Sequence, residues 1–229
     1  MKIVGLITEY NPFHAGHLYH MQRARELTGA DYCVVLMSGS FVQRGEPAIF
    51  DKYRRTKAAL LAGADLVLEM PVAFSTASAH EFAAYGVALL SAIGVDAVVF
   101  GSECGQIEFL KQAASALNHE SAEFQERLRK GLKAGLTYPQ ARAKALEMED
   151  TWASVLTSPN NILGIEYLRA AEDLHSPMEF YTISRKGSGY HEDTLADANF
   201  PSASAIRGII RNSLSKDKDL LDILASHLP

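Results

Sequence analysis

His14 and His17 are the first residues along this 229-residue chain whose types and spacing could do chemistry. A neutral imidazole donates one hydrogen bond and an imidazolium two, so a close pair of histidines suits phosphate oxygens. Gly16 stands between them and lets a ligand approach the backbone. A second candidate group lies near the other end of the chain. Ser202 and Ser204 put two hydroxyls at a helix start, and Arg207 follows one turn inside, which also suits phosphate. Either group alone has a plainer reading, as a surface turn or as an ordinary serine cap. The His-x-Gly-His spacing directly after an apolar strand favours a nucleotide-phosphate site.

The flanking residues show what must position these groups. Ile3-Val4-Gly5-Leu6-Ile7 reads as a buried strand, and Leu18, Met21, Ala24 and Leu27 recur at helical spacing. The histidines therefore sit on a strand-to-helix turn, where backbone N–H groups and the positive end of a helix dipole point at one spot. The same architecture then repeats. Gly29-Ala30-Asp31, Gly63-Ala64-Asp65 and Gly94-Val95-Asp96 each close a helix-like segment and lead into an apolar strand. With Met178–Ile183 added, the pattern predicts an α/β fold: a Rossmann-like, doubly wound parallel sheet of about five strands, with ligands at the strand C-terminal ends. The expected α/β domain comprises residues 1–105 and 155–212. Residues 106–154 lose the strand pattern and read as a helical insertion, and residues 213–229 read as a C-terminal helix leading to a further region.

Other candidates follow from this frame. Gly101 closes the fourth strand and permits contact with a base or ribose, though a plain turn glycine is an equal reading. Asn160 and Asn161 open a helix after Ser158-Pro159; one of them could read the polar edge of a nucleotide, or both could simply cap. Arg185 stands at the end of the fifth strand. Arg54 and Arg55 lie in a basic helix start, and Arg129, Lys130 and Lys133 belong to a cluster in the insertion that also holds Arg127, Arg142 and Lys144. The bland reading of these cations is a solvated helix face; the functional one is contact with RNA phosphates.

Composition narrows the class. A formal net charge of −5 argues against a protein wholly committed to coating nucleic acid. Cys33 and Cys104 fall in or just after apolar runs and read as reduced thiols. Neither a secretory signal nor an apolar run of bilayer length is visible, so a cytoplasmic location and no membrane partner are expected.

The motifs together carry a family resemblance. His14-x-Gly16-His17 resembles the HxGH signature of the nucleotidyltransferase superfamily, and Ser202-x-Ser204-x-Ile206-Arg207 its second triphosphate-binding half. Glu9-Tyr10-Asn11-Pro12-Phe13, Met37-Ser38-Gly39-x-Phe41-x-Gln43-Arg44-Gly45-Glu46-Pro47 and Ser158-Pro159-Asn160-Asn161-Ile162-Leu163-Gly164 are similar to the tRNA(Met) cytidine acetate ligase family. That resemblance covers most of the chain. It implies an ATP-dependent ligase that makes acetyl-AMP from acetate and ATP, then acetylates the wobble cytidine of elongator tRNA(Met) to N4-acetylcytidine. It implies His14 and His17 as catalytic residues. It implies an ATP site from Ile7, Thr8, Glu9, Tyr10, Asn11, Pro12, Phe13, His14, Ala15, Gly16, His17 and Gly101, completed by Asn160, Asn161, Arg185, Ser202, Ser204 and Arg207. Mg2+ is expected on the phosphates, with no direct protein ligand. Chains of this family continue past the position of Pro229. A transferase acting on a phosphorylated metabolite, or a non-catalytic nucleotide- or RNA-binding protein, would share the phosphate motifs.

Overall fold

The computed structural model of the chain describes residues 1–146, 156, 158–184 and 202–214. Five strands form one parallel sheet: β1 (Ile3–Thr8), β2 (Tyr32–Ser38), β3 (Leu66–Met70), β4 (Ala97–Ser102) and β5 (Glu179–Ser184), in the order β3-β2-β1-β4-β5. The fold class read from the Gly-x-Asp repeats is the one observed. β1 is central, and the winding direction reverses between β1 and β4, which opens a crevice at their C-terminal ends.

The repeated aspartates have a specific task. Asp31 Oδ2 accepts from Lys2 N at 2.7 Å, Asp96 Oδ2 from Ile3 N at 2.7 Å, and Asp65 Oδ2 from Cys33 N at 2.7 Å. Each carboxylate satisfies the first free N–H of a neighbouring strand, so the motif sets strand stagger as well as ending a helix. The preceding glycines adopt positive φ, 63° at Gly29, 108° at Gly63 and 80° at Gly94, a region costly for residues with a Cβ.

Helices cover both faces: α1 (Ala15–Thr28) and α2 (Lys52–Leu61) on one, α4 (Ala79–Ala92), α5 (Ile107–Asn118) and α8 (Pro159–Asp173) on the other. The period of two along each strand divides the core accordingly. Val4 and Leu6 of β1, with Cys33, Val35 and Met37 of β2, pack in the cluster of α1 and α2. Val34 and Leu36 of β2, with Val98 and Phe100 of β4, pack in the cluster of α4 and α8. Burial pushes the Cys33 thiol up to about 12; Arg25 opposes the shift and Asp65 adds to it. Both cysteines are free thiols.

Short α3 (Val72–Ser75) follows β3. The segment read as a helical insertion contains α5, α6 (Ala122–Lys133) and α7 (Tyr138–Ala145), and the last described helix is α9 (Ala203–Leu214). Leu110 and Leu117 of α5, Phe124 of α6 and Ala143 of α7 enter the same apolar cluster as Val98 and Phe100. A buried ion cluster adds to this packing: Glu166 of α8, only 3% exposed, binds Arg142 of α7 at 2.9 Å, Arg169 at 2.8 Å and His80 of α4 at 3.2 Å. Burial alone would raise the Glu166 carboxyl; the guanidiniums of Arg142 and Arg169 and the bond to His80 overcome it and hold the group below its ordinary value of 4.5. Arg142 is thus committed inside the fold and not to a basic surface. Lys130 pairs with Glu126 at 2.8 Å and Arg127 with Glu123 at 2.5 Å, while Arg129 and Lys133 are exposed on the same helix.

The largest correction concerns Arg55. Neither a solvated helix face nor an RNA contact describes it, because it is 1% exposed. Its guanidinium donates to the carbonyls of Glu9 at 2.6 Å, Ser38 at 3.0 Å and Phe50 at 3.1 Å, and to that of Gly39. It ties together the C-terminal ends of β1 and β2 and the start of α2. A charge run in sequence does not reveal which cation turns inward. Arg54 does face solvent, and its Nε lies 3.3 Å from Asp51.

Candidate functional site

A cleft of about 440 Å3 opens at the C-terminal ends of β1, β4 and β5. The starts of α1, α8 and α9 border it, through Gly16 and His17, Pro159 and Asn160, and Ala203 and Ser204. Three helix N-termini therefore aim their free N–H groups and positive dipole ends at one cavity. They are not equivalent. The Glu103 carboxylate, just past β4, accepts from Asn161 N at 2.9 Å, Asn160 N at 3.3 Å and Asn160 Nδ2 at 2.5 Å. The α8 end is already neutralised by this acid, so the strongest anion-attracting positions are α1 and α9.

His14 is the N-cap of α1, and its Nδ1 accepts from Gly16 N at 3.0 Å. In the neutral ring this leaves the proton on Nε2, so the cap selects a tautomer whose outer nitrogen donates. The His14 and His17 rings lie 3.9 Å apart at 34°, and Tyr10 packs 4.8 Å from His17 and 4.8 Å from Phe13. Gly16, which lines the cleft, has a further reason that its sequence does not show. A Cβ there would stand 2.8 Å from His14 Cε1 and 3.0 Å from His14 Nδ1, so glycine makes room for the histidine ring itself. Tyr10 is 1% exposed and its φ is 48°, a left-handed conformation that costs a non-glycine residue about 1–3 kcal/mol. Burial holds its hydroxyl well above the ordinary phenol value. The Asn11–Pro12 peptide is cis.

The late motif meets the early one. Arg207 of α9 donates to the Asn11 carbonyl at 2.7 Å and to Ser204 Oγ at 3.0 Å. Ser202 Oγ accepts from Ala205 N at 3.1 Å and so caps α9. Asn11 Oδ1 accepts from Ile49 N at 2.8 Å, and Glu9 Oε1 from Gln43 N at 3.0 Å, which locks the loop after β2 to the histidine turn.

Ile7, Thr8, Glu9, Tyr10, Asn11, His14, Gly16, His17, Gly101, Asn160, Ser202, Ser204 and Arg207 all line the cleft. Ala15 is not among its lining residues. Pro12 and Phe13 instead line a groove of about 520 Å3 beside α2, on the far side of the turn. Asn161 is 1% exposed, and its Oδ1 accepts from Glu103 N at 2.9 Å and Cys104 N at 3.2 Å, so it positions the β4 loop. Arg54, Arg129, Lys130 and Lys133 do not border the cleft. Arg185 lies outside the described residues. Sequence reasoning did not assign Gln43, Arg44, Tyr19, His20, Phe82, Leu163 and Tyr167 to this site, yet all border the cavity. A signal existed for His20, which follows His17 by three positions and so shares its helix face. Phe82, Leu163 and Tyr167 look like core residues in sequence, and only the packing of α4 against α8 brings them to the cavity wall.

This arrangement of strand, histidine turn and returning serine–arginine helix has known counterparts. The model of the HIGH Nucleotidyl Transferase family matches residues 1–229. The chain belongs to the HIGH nucleotidyl transferase family. It is also similar to curated proteins named tRNA(Met) cytidine acetate ligase. The one from Caldicellulosiruptor bescii is 47% identical over 93% of this chain and 53% of its own length. The one from Clostridium novyi is 48% identical over 99% of this chain and 57% of its own length. Among solved structures, Thermotoga maritima TmcAL bound with alpha-thio ATP is 41% identical, with a TM-score of 0.88 over 100% of this chain and 53% of that one. The apo form I structure of the same protein gives a TM-score of 0.89. The chain thus spans about half the length of the relatives it matches.

Proposed function

We propose that this chain carries the adenylating half of an ATP-dependent tRNA(Met) cytidine acetate ligase. The observation that carries the reading is the convergence of two helix starts without an acidic residue in their first turns, α1 with its histidine pair and α9 with its two serines, on one cleft that Arg207 straps together. Similarity to the tRNA(Met) cytidine acetate ligases supports the choice of substrates. The triphosphate would lie toward α1 and α9, and the nucleoside toward Gly101, Asn160 and Ser184, where Glu103 already occupies the α8 start. An acetate oxygen attacks the α-phosphorus, the bond to the β-phosphate oxygen breaks, and pyrophosphate leaves. His14 Nε2–H, His17 and the α1 amides stabilise charge on the phosphate oxygens as it develops. Two of the N–H groups of Arg207 are used within the fold, which leaves others of its five for the pyrophosphate end. Among the described residues there is no group of three or more His, Cys, Asp or Glu side chains that could hold a metal ion. Mg2+ would be held by the phosphates of ATP, whose hard oxygens suit it. In the second step the cytidine N4 amine attacks the acetyl carbonyl, and AMP leaves as the amine loses a proton. No helix among the described residues is long and apolar enough to cross a membrane.

The test is acetate-dependent exchange of labelled pyrophosphate into ATP, with His17→Ala lowering the rate by about a hundredfold or more. Exchange that requires a phosphate monoester in place of acetate would replace the ligase reading with a metabolite transferase. Undiminished exchange in the variant would remove His17 from the mechanism.

A further inference from the structure

Two exposed phenylalanines stand beside the cleft and the reaction at the phosphates does not use them. Phe74 of α3 is 39% exposed, and Tyr85 of α4 stacks on its ring at 4.1 Å and 15°. Tyr85 covers one face of the Phe74 ring, and the residue keeps 39% exposure despite that contact. Phe41 is 44% exposed. It belongs to the loop that Phe41 and Pro47 close as an antiparallel bridge and whose Val42, Gln43 and Arg44 line the cleft. The two aromatics are held in fixed relation, because fully buried Ser75 donates its hydroxyl to the Phe41 carbonyl at 2.9 Å. Both sides of the patch are next in the chain or on the helix to residues that line the cavity. Val42 follows Phe41 directly, and the cavity-lining Phe82 is one turn before Tyr85 on α4.

We propose that Phe74, backed by Tyr85, and Phe41 form a stacking platform for unpaired bases of single-stranded RNA, delivering the acceptor base to the cleft. The inference rests on the ligase reading, which requires an unstacked cytidine beside an acyl-adenylate. An exposed aromatic ring backed by a second stacked ring can add a further planar layer, and every base has such a face. Arg44, exposed on the same loop, supplies positive charge where the RNA backbone would turn into the cavity. The basic residues of α6 lie away from the cleft, so the aromatic rim accounts for base delivery in a way that those cations do not.

Fluorescence anisotropy of a labelled single-stranded anticodon-loop RNA, titrated with the chain in the presence of ATP, tests the platform. Phe74→Ala and Phe41→Ala should each weaken binding about fivefold to a hundredfold. Phe74→Trp should restore it and Phe74→Leu should not, which separates stacking from simple apolar volume. Acetate-dependent pyrophosphate exchange in the same preparations should be unchanged, since neither ring borders the cavity. Equal RNA affinity in wild type and alanine variants overturns the proposal, as does an absence of RNA binding by the wild type. Unchanged RNA affinity with a large fall in melting temperature assigns the patch to protein packing, which also overturns it. If the wild type lacks acetate-dependent exchange, the ligase reading fails, and the RNA titration still decides the platform.

Discussion

Replacing Gly16 with alanine separates stability from chemistry at the histidine turn. In most helix interiors this change stabilises by about 0.5–1 kcal/mol, because glycine loses more backbone entropy on ordering. Here the new methyl would lie 2.8 Å from His14 Cε1 and 3.0 Å from its Nδ1. Ordinary contact requires roughly another half ångström or more, so the imidazole must leave its place. The bond from Gly16 N to His14 Nδ1 is then lost, and with it an N-cap worth about 0.5–2 kcal/mol. The two contributions oppose each other. Net stability should change by between a gain of about 0.5 and a loss of about 1.5 kcal/mol, so the melting temperature should fall by at most roughly 3–6 °C for a chain of this size. Activity has no such compensation. Displacing a positioned donor by a fraction of an ångström to 1 Å costs about tenfold to a hundredfold in rate. Calorimetry and acetate-dependent pyrophosphate exchange on one preparation measure both. His14→Asn is the companion variant, since asparagine caps well but lacks the imidazole donor; it should fold normally and still lose exchange. Wild-type exchange in Gly16→Ala would refute the argument that this glycine exists to seat the His14 ring. A fall of more than about 10 °C would refute the energy balance.

Arg55→Met leaves several buried carbonyls, those of Glu9, Ser38 and Gly39 among them, without their donor. At about 1–3 kcal/mol for each unsatisfied group, the loss should reach at least about 3 kcal/mol. Denaturant unfolding would show it as a lower midpoint, with RNA affinity at native conditions unaffected; weaker RNA binding without destabilisation would return Arg55 to a surface role. Glu166 gives a pH dependence. Its folded value is depressed below 4.5, so its contribution to stability is fully present above that pH and is lost as pH falls through the folded value. Glu166→Gln should be less stable at neutral pH, because Arg142 and Arg169 lose their charged partner, and its melting temperature should fall less steeply on acidification below 4.5. Parallel curves for the two proteins between neutral and acid pH would contradict this linkage.

The parallel sheet and its order of strands and helices were legible in the residues alone. Three Gly-x-Asp returns, a period of two in the strands and a histidine turn after β1 are local signals, each readable within a few residues because backbone conformation and solvent exclusion act at that range. Each of the two serine- or histidine-bearing motifs marks its own helix start locally, but their meeting, through Arg207 and the Asn11 carbonyl, is a contact between residues far apart in the chain. The remaining features likewise depend on contacts between distant segments. Arg55 looks like its exposed neighbour Arg54, and turns inward because the ends of β1 and β2 and the approach to α2 present carbonyls that its guanidinium reaches. Asn160 and Asn161 look alike, but the carboxylate of Glu103 and the β4 loop draw Asn161 into the core and leave Asn160 on the cleft wall. Gly16 lines the cleft, and only the packed structure shows that it also makes room for the His14 ring. In each case the deciding partner is another part of the chain, brought within hydrogen-bonding or van der Waals range only when the sheet has closed around β1.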